Sequence, residues 1–172
     1  MASSSNDKSR GFWPFITLQA QGAFSDSVFK QMLVLYAAAI VGGNDPNRLG
    51  RLTAGLLIMM PAAYLLCSCW GGFIADKFSK RLNCIYFKLL ELAIMAIGFV
   101  LFLNVSGNPY PSMSIFSMAG IVLFLMYMQS AFFSPNKYGI IPELVNTRRL
   151  SWANGIVGLT TYVAIILGLA VT

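Results

Sequence analysis

The sequence predicts an all-α membrane protein, on three observations. Hydrophobic residues make up 57% of its 172 residues and charged ones only 10%, against about 25% charged in a soluble domain. The apolar residues fall into five segments, each near or beyond the ~20 residues a helix needs to cross hydrocarbon. Between them lie GGNDPNRLGR, ADKFSKRLN, VSGNPYPS and PNKYGIIPELVNTRR, whose Gly, Pro, Asn and Asp form turns at a water interface.

The first segment runs from about Phe12 to Val41, after a polar stretch, residues 1–11, read as a cytoplasmic N-terminal tail. The apolar run is too long for a signal-peptide core and no small-residue cleavage site follows, so no cleaved signal is expected. The second segment spans Leu52 to Ile74, the third Cys84 to Asn104 and the fourth Met113 to Phe133. The fifth starts near Trp152 and is still apolar at Thr172. Residues 12–172 are thus expected to form one transmembrane bundle. Five helices ending inside apolar sequence read as part of a longer transporter, since transporters are often built from repeats of three helices.

Charge sets the orientation. Lys8, Arg10, Lys77, Lys80, Arg81, Arg148 and Arg149 fall on one side of the spans, and only Arg48 and Arg51 on the other. Basic residues favour the cytoplasm, which places the N-terminus and the second connection there. The net charge of +6 is explained by this clustering, so no nucleic-acid partner is expected. The chain has no histidine, which removes His-dependent triads, metal sites and proton relays. Cys67 and Cys69 point to different faces of a helix, and with Cys84 as the only other thiol no zinc site can be completed. All three read as small packing residues. No metal, cofactor or catalytic constellation is expected, so these residues by themselves are not an enzyme.

Functional residues are sought among the charges inside the spans. Asp26 and Lys30 lie four apart in the first segment, share one helix face and can pair. A charge at the bilayer centre costs roughly 2.5–3.5 kcal/mol, and such charges usually line a bundle interior or water-filled path. The competing reading is an ion pair that only fixes helix packing. Gln19, Gly22, Asp26 and Lys30 form a polar stripe at helical spacing, broadened by Gln21, Ser25 and Ser27. Lipid cannot face such a stripe, so protein or an aqueous cavity must. Lys88 and Glu91 repeat the theme in the third segment. Lys88 either joins that interior or snorkels to the interface, while Glu91 lies deeper and is the better buried partner. Together these charges point to a protein that moves a solute across a membrane.

Between the second and third segments, Gly72, Asp76, Lys80 and Arg81 fit G-x(3)-D-x(3)-[KR]-[KR]. This connection resembles the cytoplasmic signature loop of the major facilitator superfamily, with Ser79 where that pattern usually has Gly. Gly72 would permit close helix approach, and Asp76 would cap a helix N-terminus and hold a basic partner.

A narrower resemblance covers nearly the whole chain. GAFSDSVFK, IADKFSKR, SPNKYGIIPEL and ANGIVGLTTYVAIILG resemble the N-terminal half of bacterial lysophospholipid transporters. Those are major facilitator proteins that also occur fused to an acyltransferase and an acyl-acyl-carrier-protein synthetase. The stretch with Ser134, Pro135, Lys137, Tyr138 and Gly139 is the most distinctive. The resemblance implies five helices of a major facilitator N-terminal bundle in the bacterial inner membrane. It implies alternating access that carries lysophospholipids between leaflets, with membrane lipids and a fused or associated acyltransferase as partners. It also makes Asp26 and Lys137 important for transport. Two positions depart from the family: Ser27 stands where Asn is frequent, and Gly158 where helix five often bears an acid.

The residues themselves agree with that picture. Pro135 lacks an N–H and is expected to disturb the end of the fourth helix, freeing carbonyls near Lys137. A cation there suits a phosphate-bearing headgroup, or serves as an interface anchor for anionic lipids. Asp26 has three open roles: meeting an ammonium headgroup, holding Lys30, or taking a coupling proton. The alternatives are a major facilitator exporter of another small solute and a plain membrane anchor for a fused lipid-modifying enzyme. The charges at 26, 30 and 91 disfavour the anchor, which has no use for them.

Overall fold

A computed structural model describes residues 3–41, 45–77, 79–106 and 112–172, without the side chains of 3–10, 74–76 and 104–106. Five long helices make up almost all of it: α1 (Ser3–Val41), α2 (Pro46–Lys77), α3 (Lys80–Ser106), α4 (Met113–Leu144) and α5 (Leu150–Val171). A 3-10 turn, Thr147–Arg149, leads into α5. Every one of the five is long and apolar enough to cross a membrane, as the apolar segments predict, and the described residues contain no strand.

The helices outrun the apolar segments, because hydropathy marks the hydrocarbon crossing while backbone hydrogen bonds set helix ends. Residues 3–11, read as a tail, already belong to α1. The expected connection holding the G-x(3)-D-x(3)-[KR]-[KR] pattern is mostly helical. Gly72 and Asp76 lie in the last turns of α2, and Lys80 and Arg81 open α3. Asp76 precedes the start of α3, where the carbonyl of Ser79 accepts the amide of Asn83 at 3.0 Å. The side chain of Asp76 lies outside the described residues.

Pro135 does not end α4 either. The helix carries both Pro135 and Pro142 and closes only at Val145, whose amide donates to the Ile141 carbonyl. A proline removes only the bond to the carbonyl four residues back, so the freed carbonyls are those of Ala131 and Tyr138. Neighbouring helices make this tolerable within a bundle. Here α2 comes so close that a Cβ on Gly71 would lie 3.3 Å from the Ala131 carbonyl oxygen.

Helix α4 sits at the centre and packs against α1, α2, α3 and α5, while α1 also packs along α5. Gly168 permits the α1–α5 approach: a Cβ there would meet Ser27 Cβ at 2.8 Å and the Phe24 carbonyl at 3.0 Å. Apolar packing divides into two parts. Phe29, Leu33, Leu56, Leu123 and Met126 centre the larger cluster. Phe12, Ile16, Ile141, Ala153 and Val157 form the smaller one, near the start of α1. Between them runs the polar stretch of α1. Outward residues such as Leu57, Leu65, Ile97 and Ile166 are exposed, as a lipid-facing surface requires.

Candidate functional site

All five helices contribute to one cavity of about 210 Å³. The five residues singled out as substrate or coupling candidates, Gln19, Asp26, Lys30, Glu91 and Lys137, all line it. The stripe on α1 from Gln19 to Lys30 supplies one wall, about 16 Å long at 1.5 Å per residue. Tyr127, Ser130, Ser134 and Lys137 of α4 supply the facing wall. Lys88 and Glu91 come from α3, Met60 and Tyr64 from α2, and Thr161 and Ile165 from α5.

The expected pairing of Asp26 with Lys30 is absent. Asp26 Oδ2 accepts the Ser130 hydroxyl at 2.9 Å, and Lys30 makes no ion pair among the described residues. Sharing a helix face permits an ion pair but does not impose one, and α4 here offers the carboxylate a nearer partner. The ion pair in the cavity is Lys88 with Glu91, at 2.7 Å and with side chains only 16% and 9% exposed. Lys88 thus turns inward, its ammonium also over the Phe133 ring at 5.6 Å. The pair rests on bare backbone of α1, since a Cβ on Gly22 would lie 2.8 Å from Lys88 Nζ and 3.1 Å from Glu91 Oε1. A larger residue there would make the ends of Lys88 and Glu91 shift.

Gln19 Nε2 donates to Thr161 Oγ1 at 3.1 Å, and that hydroxyl donates to the Val157 carbonyl. Lys137 stacks its ammonium over Tyr138 at 5.2 Å and has no carboxylate partner among the described residues. Register places these groups along the cavity. Gly11 faces Leu144 and Asp26 faces Ser130, so antiparallel α1 and α4 bring Lys137 level with Gln19. Lys30 lies at the opposite end, with Tyr64 and Tyr127.

The remaining candidates have other surroundings. Gln21 and Ser25 bond to each other and do not line the cavity, whereas Ser27 does. Lys80 spans from α3 to α4, with Nζ 2.9 Å from Glu143 Oε1 and 3.1 Å from the Gly139 carbonyl. Asn136, fully buried, donates to the Lys80 carbonyl and to Cys84 Sγ. The stretch after Ser134 is thereby tied to the start of α3. Pro135 is half-buried and Tyr138 exposed, as is Arg81, and Gly72 is half-buried. Cys67 is buried, but Cys69 is exposed rather than packed.

Sequence reasoning passed over Tyr127 and Ser130, and named Ser134 only as part of the helix-end stretch. A signal existed: with Lys137 they are spaced three, four and three apart, a helical stripe in an otherwise apolar segment.

Five helices of membrane-spanning length around a charged cavity define a multi-pass membrane protein with a polar interior. Its known relatives are transporters. The chain is 29% identical over 93% of its length to a lysophospholipid transporter, LplT, of Citrobacter koseri, and 30% identical over 93% to that of Salmonella arizonae. A shorter match, 62% of the chain, reaches 34% identity with LplT of Pectobacterium carotovorum. The chain spans about a third of the length of these relatives, 35% in the first two cases. No family model matches the chain. No solved structure matches it.

Proposed function

We propose that this chain is part of a lysophospholipid transporter of the major facilitator superfamily, working by alternating access between the leaflets of the bacterial inner membrane with its N-terminus in the cytoplasm. The observation that carries the reading is the joint cavity: Asp26, which accepts from Ser130, and Lys137, without a carboxylate partner among the described residues, line it together. The similarity to transporters named for lysophospholipids supports the substrate class. The cavity's size agrees. At about 210 Å³ it is smaller than the roughly 300–1,000 Å³ of drug-sized sites, so it suits a polar headgroup with the acyl chain lying along apolar walls. Lys137 attracts the phosphate by charge-assisted hydrogen bonding. Asp26 keeps the α1–α4 contact and the charge balance at mid-cavity.

The test is uptake of labelled lysophospholipid into spheroplasts carrying the full-length protein. Asp26→Ala and Lys137→Ala each abolish uptake without loss of protein from the membrane, and Lys137→Arg keeps part of it because charge survives while geometry changes. Wild-type uptake by both alanine variants defeats the assignment.

A further inference from the structure

At the far end of the cavity from Lys137 lies a second cluster of hydrogen-bond donors. Lys30 lines the cavity there with Tyr64 of α2 and Tyr127 of α4. Lys30 and Tyr64 are half-buried, and Tyr127 is 5% exposed. The Lys30 ammonium meets no carboxylate and no hydrogen-bond acceptor among the described residues, and neither tyrosine hydroxyl makes a hydrogen bond among them. An ammonium has three protons to give and no lone pair, and each phenol has one proton. Unmade bonds in a site of low dielectric are unfavourable and call for a partner, here an acceptor of negative charge. Of the lysines lining the cavity, Lys88 already spends its charge on Glu91. The two without a carboxylate among the described residues, Lys30 and Lys137, stand at opposite ends. From Gln19, level with Lys137, to Lys30 the α1 stripe covers about 16 Å at 1.5 Å per residue. Asp26 sits between them, its Oδ2 accepting from Ser130, and a carboxylate gives an anion no donor. The cavity therefore suits an anion at each end and not in the middle.

We infer that Lys30, Tyr64 and Tyr127 form a second phosphate site, so that a lysophospholipid crosses between two stations, this one and Lys137; the inference rests on the transport reading above. Lys30 supplies a charge-assisted bond to a phosphate oxygen, and the two phenols supply neutral ones. The station lies towards the C-terminal end of α1, and Lys137 lies towards its N-terminal end. In the orientation proposed above, the far station takes the phosphate from the periplasmic leaflet and Lys137 holds it at the cytoplasmic end. Passage requires binding firm enough to admit a charged group and shared over enough sites to let it leave. A cation at each end meets both requirements, whereas one cation alone would retain the phosphate.

The test uses full-length protein in nanodiscs, where both faces are open, with a lone thiol introduced by Met60→Cys or by Ser134→Cys. Met60 lines the cavity about one turn along α2 from Tyr64, and Ser134 less than one turn along α4 from Lys137. Saturating lysophospholipid divides between the stations, so alkylation by a small charged reagent is partly slowed at both thiols. Lys30→Met removes the charge and keeps an unbranched stem. The ratio of protection at 60 to protection at 134 then falls about tenfold, the loss of one hydrogen bond from a charged group. Protection at 134 rises as the lipid redistributes, a reciprocal change that a structural defect does not produce. Tyr127→Phe keeps the ring and lowers the ratio about fivefold, the equivalent of one neutral hydrogen bond. Lys30→Arg holds the ratio near wild type, and Lys137→Ala moves it the other way. Monoacylglycerol of the same chain length lacks the phosphate, and its ratio is indifferent to Lys30→Met. A ratio unmoved by Lys30→Met and Tyr127→Phe, or a parallel loss of protection at both thiols, in protein that still transports lysophospholipid, overturns the second station and leaves the transport reading standing. Inorganic phosphate that protects at 60 where lysophospholipid does not marks an ion site off the lipid's path, and also overturns the station. A lysophospholipid that protects neither thiol and is not taken up defeats the transport reading itself, and this inference with it.

Discussion

Replacing Lys88 by methionine isolates the energetics of the buried pair. The substitution keeps an unbranched apolar stem and removes the ammonium that Glu91 Oε2 accepts at 2.7 Å. Glu91 is then left as a carboxylate 7% exposed with both oxygens unpaired. Removing one partner of a buried pair costs roughly 3–5 kcal/mol, whereas replacing both by apolar groups is often neutral or stabilising. Glu91 borders the cavity, so water takes part of the load and the lower end applies, about 3 kcal/mol. That is more than a hundredfold in the folding equilibrium, at tenfold per 1.4 kcal/mol. Denaturant titration of the detergent-solubilised protein measures it, with Lys88→Met, Glu91→Leu and the double variant completing a cycle. Lys88→Met is expected to lose about 3 kcal/mol and the double variant to regain most of it. A single variant within about 0.5 kcal/mol of wild type, the range of ordinary surface substitutions, refutes the burial argument.

Two further outcomes are expected. In a Cys-free background, Asn47→Cys labels from the periplasmic side and Ser79→Cys from the cytoplasmic side, and the reverse pattern sinks the orientation derived from Lys and Arg. Gly168→Leu forces α5 off α1, because even a Cβ there lies 2.8 Å from Ser27; overpacking of this kind costs typically 1–3 kcal/mol, read by the same titration, and a neutral result shows that the helices separate freely.

How far the sequence speaks can be judged from particular residues. Five apolar segments foretell five spanning helices because the hydrocarbon thickness dictates their length. Their ends escape notice, since α2 reaches Lys77 and α4 reaches Leu144 on backbone hydrogen bonds that no hydropathy value records. Proline misleads at 135 for a related reason: it removes one bond, while a helix held on four sides by neighbours continues. The polar stripe on α1 names its cavity residues correctly because lipid excludes every alternative. Which groups then pair is a tertiary matter. Ser130 reaches Asp26 from 104 residues away, and Lys80 meets Glu143 from 63 away, distances over which spacing carries no information. Lys88 shows the same limit, since the choice between snorkelling and turning inward depends on the space left by Gly22.

The central claim, that the five-helix cavity receives the headgroup, is tested most directly by substrate protection at its wall. Ser134 lines the cavity less than one turn before Lys137, so a lone thiol at Ser134→Cys, in the full-length protein, reports occupancy. A small charged alkylating reagent should modify it in membranes, and lysophospholipid should slow that modification in a saturable way, with half-protection near the KM for uptake. Protection should vanish in the Lys137→Ala background. A thiol alkylated at the same rate with and without saturating lysophospholipid, in protein that still transports it, would place the substrate elsewhere and contradict the account.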